Sequence, residues 1–199
     1  MGGGLVILLA AVAITTLLAN GATRLRASAL AFLAVSLVAN AIALSVTTLP
    51  QVGVLVSAGL VAAAILYVAA RDGTYGEDPG WRLWAATLIA AATTPLAFTA
   101  FRTITSEAGE LPVFGTDPGN VIVQVAAFWL ISSGMAILVT ARRAVRTTLG
   151  ALLMVTGVQL LIRLAPGPQL AFTIGVAWLE VLIALTGAFL IVNERAVRE

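Results

Sequence analysis

Residues 169–192 read QLAFTIGVAWLEVLIALTGAFLIV, an apolar run with a single ionisable group, Glu180, near its middle. A helix of about 20 such residues crosses the hydrocarbon core of a bilayer. Six further runs of the same character precede it, at roughly 4–20, 28–47, 52–70, 83–101, 119–141 and 147–164. The breaks between them are chemically legible. Arg24 and Arg26 end the first, and Leu49-Pro50-Gln51 divides the second from the third. Arg71-Asp72-Gly73 through Trp81-Arg82 follows the third, and Arg102 to Gly119 follows the fourth. Arg142, Arg143 and Arg146 precede the sixth, and Pro166-Gly167-Pro168 precedes the last.

Composition points the same way. Sixty per cent of the 199 residues are hydrophobic and 10% are charged, with a mean hydropathy of +1.05. A water-facing domain carries about 25% charged residues. The expected fold is therefore all-α: a polytopic integral membrane protein of about seven transmembrane helices, forming a single transmembrane domain over 1–199. Its first four helices would occupy 1–101 and a three-helix unit 119–192. The run after Met1-Gly-Gly-Gly has no basic leader and no clear cleavage site, so it reads as a retained helix.

Arginine placement orients the spans. With the N-terminus outside, nine arginines fall on the cytoplasmic side and only Arg102 and Arg163 on the outer side. That bias is the positive-inside pattern, and it gives N-out, C-in in the cell membrane.

Several function classes drop out. All 11 basic residues are arginine, so no lysine can form a Schiff base, and there is no histidine or cysteine. Histidine-ligated haem, thiolate iron–sulfur clusters and the usual zinc sites lack their ligands, so no cofactor or metal is expected. Nothing supports a soluble-substrate enzyme or nucleic-acid binding, and no catalytic residue is identified.

What remains is the polar content of the spans. Glu180 is the one acidic residue within them, and an ionisable group at that depth costs several kcal/mol unless it is neutralised or paired. It lies about 20 Å from the cytoplasmic end by helical rise, and Gln159 on the preceding helix lies at about the same depth. Runs 6 and 7 are joined by a short turn and should be antiparallel neighbours. Thr156 sits one turn from Gln159, and Ser132 and Ser133 fall nearby, so the last three helices can build one mid-membrane polar patch. Alternatively, Glu180 pairs with Arg163 and simply fixes the helices. The Arg142, Arg143 and Arg146 cluster anchors topology or meets a partner or anionic lipid. Pro95, after Thr93-Thr94, frees a backbone carbonyl that the threonine hydroxyls can partly compensate.

The stretch RRAVRTTLGALLMVTGVQL (142–160), followed by IGVAWLE (174–180), resembles the core of hydrogenase-4 component E proteins. It is more distantly similar to subunit K of respiratory complex I and to the C-type component of Mrp antiporters. The specific similarity covers 141–195. It implies a cofactor-free membrane subunit, packed against antiporter-like and hydrogenase- or complex I-like subunits, that contributes to proton or cation translocation. The family's penultimate helix commonly carries a glutamate. Here Leu153-Met154-Val155-Thr156 has no acid and Gln159 stands near that position. A stand-alone small transporter or channel, or a structural assembly protein, is the alternative expectation.

Overall fold

The protein is described by a computed structural model, covering residues 2–22, 24–70, 80–107, 117–165 and 169–197. The Arg71-containing loop, most of the loop before Asp117, the Pro166-Gly167-Pro168 turn and Arg198 lie outside the described residues.

The described chain is all-helical. Its elements are α1 (Gly2–Gly21), α2 (Leu25–Ala43), α3 (Leu49–Ala69), α4 (Gly80–Glu107), α5 (Pro118–Thr140), α6 (Ala144–Ile162) and α7 (Gln169–Ala196). All seven are long and apolar enough to span a membrane.

The helices depart from the apolar runs most at α4, which extends the expected 83–101 to Gly80–Glu107, and α2 is displaced as a whole. Apolarity alone suggests a helix over 28–47, but α2 runs from Leu25 to Ala43. Arg24 has extended backbone at its start, and Arg26 inside the first turn lays its guanidinium 5.1 Å from the Tyr67 ring of α3. The cation is thus accommodated within the helix by an aromatic face. At the other end the backbone tightens, with Ser45 N–H donating to the Ile42 carbonyl and Val46 N–H to the Ala43 carbonyl. Pro50 then falls in the first turn of α3, where its missing N–H leaves no bond unmade.

The helices form two facing rows. α1, α2 and α3 stand side by side in one, and α4, α5, α6 and α7 in the other. Across the gap α1 meets α4 and α5, α2 meets α5 and α6, and α3 meets α7. Successive helices alternate in direction. At one end, here the carboxyl end, α6 begins beside the last turns of α7 and α1: Ala144 N–H donates to Glu194 Oε2 at 3.1 Å, and Arg146 donates to Asn20 Oδ1 at 2.6 Å. The Glu194 carboxylate supplies the α6 N-terminus with the acceptor that Arg143, at the cap position, does not. At the opposite, amino end, Arg163 after α6 meets Asn40 near the end of α2.

Small residues set the closest approaches. A methyl group on Gly134 of α5 would stand 2.5 Å from the Gly150 carbonyl oxygen of α6, and one on Gly157 would stand 2.7 Å from the Ala127 carbonyl oxygen. The α5–α6 seam is therefore backbone against backbone, the contact that small residues permit in a solvent offering no hydrophobic drive. Phe128 of α5 holds α4 by ring contacts to Phe98 and Phe101 at 6.1 and 5.2 Å. One buried core draws on all seven helices, with Phe32, Leu130, Leu152 and Leu153 fully enclosed.

α4 continues as helix through Pro95, which faces outward. Thr93 and Thr94 donate to the carbonyls of Ile89 and Ala90 at 2.7 Å. The carbonyl that the proline frees is that of Ala91, four residues before it, so the threonines serve its neighbours rather than the freed group itself.

Gly134→Ala is expected to destabilise the bundle by about 1–3 kcal/mol, because its methyl would press on the facing backbone. Gly175→Ala on α7, where nothing lies within 4 Å, should be neutral or mildly stabilising. Thermal unfolding of both variants in the same detergent checks the contrast.

Candidate functional site

The buried face of α7 is a narrow stripe. Thr173, Ala177, Glu180, Ala184, Gly187 and Ile191 are buried, at alternating intervals of four and three. This spacing keeps one face of a helix on its neighbours. Most other α7 side chains, among them Phe172, Trp178, Leu182 and Phe189, are exposed apolar groups. Glu180 is thus aimed inward by its register, and only 1% of it is exposed.

Its surroundings are built by four helices. From α6, Gln159 Nε2 donates to Glu180 Oε2 at 2.9 Å. From α3, Gly59 lies against the other oxygen: a methyl group there would stand 3.6 Å from Glu180 Oε1 and would coincide with the Ser36 hydroxyl of α2. The glycine is what lets Ser36 and Glu180 share this space. One turn along α2, Asn40 Nδ2 donates to the Ser36 carbonyl at 2.9 Å and approaches its hydroxyl at 3.5 Å. Asn40 Oδ1 in turn accepts from Arg163 at 2.9 Å. Arg163 and Glu180 feel each other's charge.

The energetics follow from the solvent. A carboxylate removed from water demands hydrogen bonds and a compensating charge. Gln159 supplies one neutral donor, and Arg163 supplies charge. Glu180 Oε1 is buried with no hydrogen-bond partner among the described residues. One oxygen of the carboxyl is held, and the other is left beside a hydroxyl and a glycine.

The mid-membrane patch expected from the last three helices is only partly assembled. Gln159 and Glu180 meet. Thr156 is buried but donates back to the Leu152 carbonyl of its own helix at 2.9 Å. Ser132 and Ser133 are buried on α5, whose neighbours are α6, α4, α1 and α2. Ser133 lines a separate cavity with Thr16, Asn20, Thr87 and Trp129. Arg163 is buried in the cluster, donating to Asn40 while its link to Glu180 is coulombic. Arg142 is exposed between α5 and α6, Arg143 precedes α6, and Arg146 is turned toward Asn20.

Ser36, Asn40 and Gly59 join the cluster without having been expected there. A signal for two of them is present in the sequence: Ser36 and Asn40 are four apart, on one face of an otherwise apolar run. Nothing in the sequence pairs that face with α6.

The polar character of the cluster is one-sided. From Glu180 it rises toward the amino end through Ser36, Asn40 and Arg163. Toward the carboxyl end the same helices carry buried hydroxyls, those of Ser28, Thr148 and Thr156, each of which donates to a backbone carbonyl four residues earlier in the chain. Thr148 packs onto Gly187, and Leu25, Ala29, Leu66, Val145, Leu149 and Ile191 surround a cavity of about 10 Å³. Among the described residues no three His, Cys, Asp or Glu side chains gather as a metal site.

No family model, curated protein or solved structure matches this chain.

Gln159→Leu would leave the Glu180 carboxyl without its donor, and a stability loss of about 1–3 kcal/mol is expected. Glu180→Gln preserves shape and removes the charge, so the fold should retain its stability or gain. Unfolding midpoints in one detergent distinguish the two; equal losses would contradict this view of the pair.

Proposed function

We propose that this chain is a cofactor-free membrane-arm subunit of a complex I-like or membrane-bound hydrogenase (formate hydrogenlyase-type) assembly, in which Glu180 is a station for proton or cation translocation. The observation that carries the proposal is the buried carboxyl with one oxygen held by Gln159 and the other unmatched. Intramembrane carboxyls of this kind mark ion paths and proton relays. The similarity of 141–195 to hydrogenase-4 component E proteins adds support, since Gln159 and Glu180 both fall within it.

The orientation proposed is N-out and C-in in the plasma membrane, with the carboxyl end of the bundle cytoplasmic. It rests on the nine arginines that the sequence assigns to the cytoplasmic segments, against Arg102 and Arg163 in the outer ones. In this orientation the Ser36–Asn40–Arg163 ladder runs from Glu180 toward the outer surface. Toward the cytoplasm the hydroxyls near Glu180, those of Ser28, Thr148 and Thr156, donate to backbone carbonyls four residues earlier in the chain and form no ladder like that on the other side. Ions reaching Glu180 from that side must therefore come through a neighbouring subunit. An antiporter-like chain packed against this one would supply both that route and the second carboxyl that residues 153–156 lack. Arg142, exposed between α5 and α6, is the natural contact for a cytoplasmic partner.

The test is purification of the native complex from membranes, followed by assay of Glu180→Gln in the same assembly. Co-purification with antiporter-like and hydrogenase- or complex I-like subunits is expected. The variant should keep the electron-transfer activity of the complex while losing most of its ion translocation. A chain that purifies alone, or a variant with undiminished translocation, overturns the proposal.

A further inference from the structure

A second polar cluster lies at the carboxyl end, on the far side of the α5–α6 seam from Glu180. Its backbone is a hydrogen-bonded chain across three helices. Arg146 of α6 donates to Asn20 Oδ1 of α1 at 2.6 Å, and Asn20 Nδ2 donates to Thr87 Oγ1 of α4 at 2.9 Å. Beyond Thr87 the helices enclose a cavity of about 10 Å³. Its lining comes one turn at a time from each helix: Thr16 and Asn20, Thr87 and Ala90, Trp129 and Ser133.

Two groups on that lining are buried and unmatched. Trp129 Nε1 and Ser133 Oγ have no hydrogen-bond partner among the described residues, and Ser133 is only 4% exposed. They stand four residues apart on α5 and so on one face of it. An indole N–H can only donate, while a hydroxyl can do both. Thr16 spends its hydroxyl proton on the Val12 carbonyl and its oxygen keeps lone pairs, while Thr87 accepts from Asn20. A ligand here must accept from the indole, exchange a bond with Ser133 and donate to a threonine oxygen.

We infer that this cavity is a water-binding site, in which Trp129 Nε1 and Ser133 Oγ hold a water that extends the Arg146–Asn20–Thr87 chain into the bundle. The fit is physical on three counts. The space is close to that of one water, about 10–15 Å³ on the same kind of measure. Two to four polar partners are on hand, as a buried water requires. Leaving two buried polar groups unmatched in a hydrocarbon environment would cost more than ordering a water. The Arg146 guanidinium two links away disfavours a cation in this place.

The consequence is a hydrated pocket reached from the carboxyl end, the opposite side from the ladder that ends at Glu180. The two do not merge. α2, α5 and α6 stand between them with the fully buried Phe32, Leu130, Leu152 and Leu153. The water also has a mechanical part. α4 is the least buried of the seven helices, and the pocket joins it to both α1 and α5.

The inference is independent of the role of Glu180. Its test is magnetisation transfer from water to the indole N–H of Trp129 in nanodisc-embedded protein, with the resonance assigned by Trp129→Phe. A long-lived water contact at Trp129 is expected, and it should vanish in Ser133→Leu, whose side chain fills the pocket. A Trp129 indole with no water contact overturns the inference, as does a contact that persists in Ser133→Leu. Should Ser133→Leu not fold, Ser133→Ala decides. With water bound, removing the hydroxyl takes away one of its partners and lowers the unfolding temperature. In a dry pocket the same change deletes an unmatched polar group and raises it.

Discussion

The 2.9 Å hydrogen bond from Gln159 to Glu180 is the contact on which the interior arrangement of this bundle depends. In water such a bond contributes about 1 kcal/mol, because solvent competes for both partners. Between helices in hydrocarbon the alternative to the bond is an unmatched amide and an unmatched carboxyl, each deeply unfavourable. The pair therefore fixes the rotation of α7 on α6. With Glu180 inward, the positions of the same stripe nearest to it are small, Ala177, Ala184 and Gly187.

The rest of the structure answers that constraint. α3 closes over the carboxyl with Gly59, since any side chain there would collide with Ser36. α2 brings Ser36 and Asn40, and Asn40 brings Arg163, so a buried cation and a buried carboxyl are tied to one another through neutral groups. The seam between α5 and α6, with glycines at 134, 150 and 157, is packed too closely to admit solvent or side chains. The two hydrogen-bonded polar clusters, one at Glu180 and one at Asn20, lie on opposite sides of that seam. A bundle so divided is a poor conduit on its own, and a neighbouring chain could complete it. That division is the physical basis for reading it as a subunit.

Much of this is legible in the sequence. Seven apolar runs become seven helices, each long and apolar enough to span a membrane, because in a helix every backbone group can be satisfied within its own segment. The level placement of Gln159 and Glu180 follows from helical rise on two helices joined by a short turn. The four-helix surroundings are not legible. α2 touches α6 because the helices form two rows, and the choice of which rows face each other is a packing outcome with no local signature. Ser132 and Ser133 illustrate a second limit. Depth alone puts them with Glu180, but depth says nothing of direction, and α5 turns Ser133 toward α1 and α4. The same reasoning makes Arg163 an alternative partner for Glu180. Its side chain also reaches Asn40 of α2, a partner that depth on two neighbouring helices does not reveal. The boundary at Ala43 escapes for a simpler reason: Leu44-Ser45-Val46 carries no charge, proline or glycine to mark an end, and the backbone turns there, before Pro50.

If Glu180 serves as proposed, its carboxyl exchanges a proton or cation while remaining in the folded bundle. Infrared difference spectroscopy of the membrane-embedded protein across a pH series, with Glu180→Gln as the reference, tests this most directly. The expected result is a carboxyl band that changes with pH in the native protein and is missing from the variant. A native spectrum identical to that of Glu180→Gln at every pH where the protein stays folded would show a carboxyl locked in one state, and would contradict it.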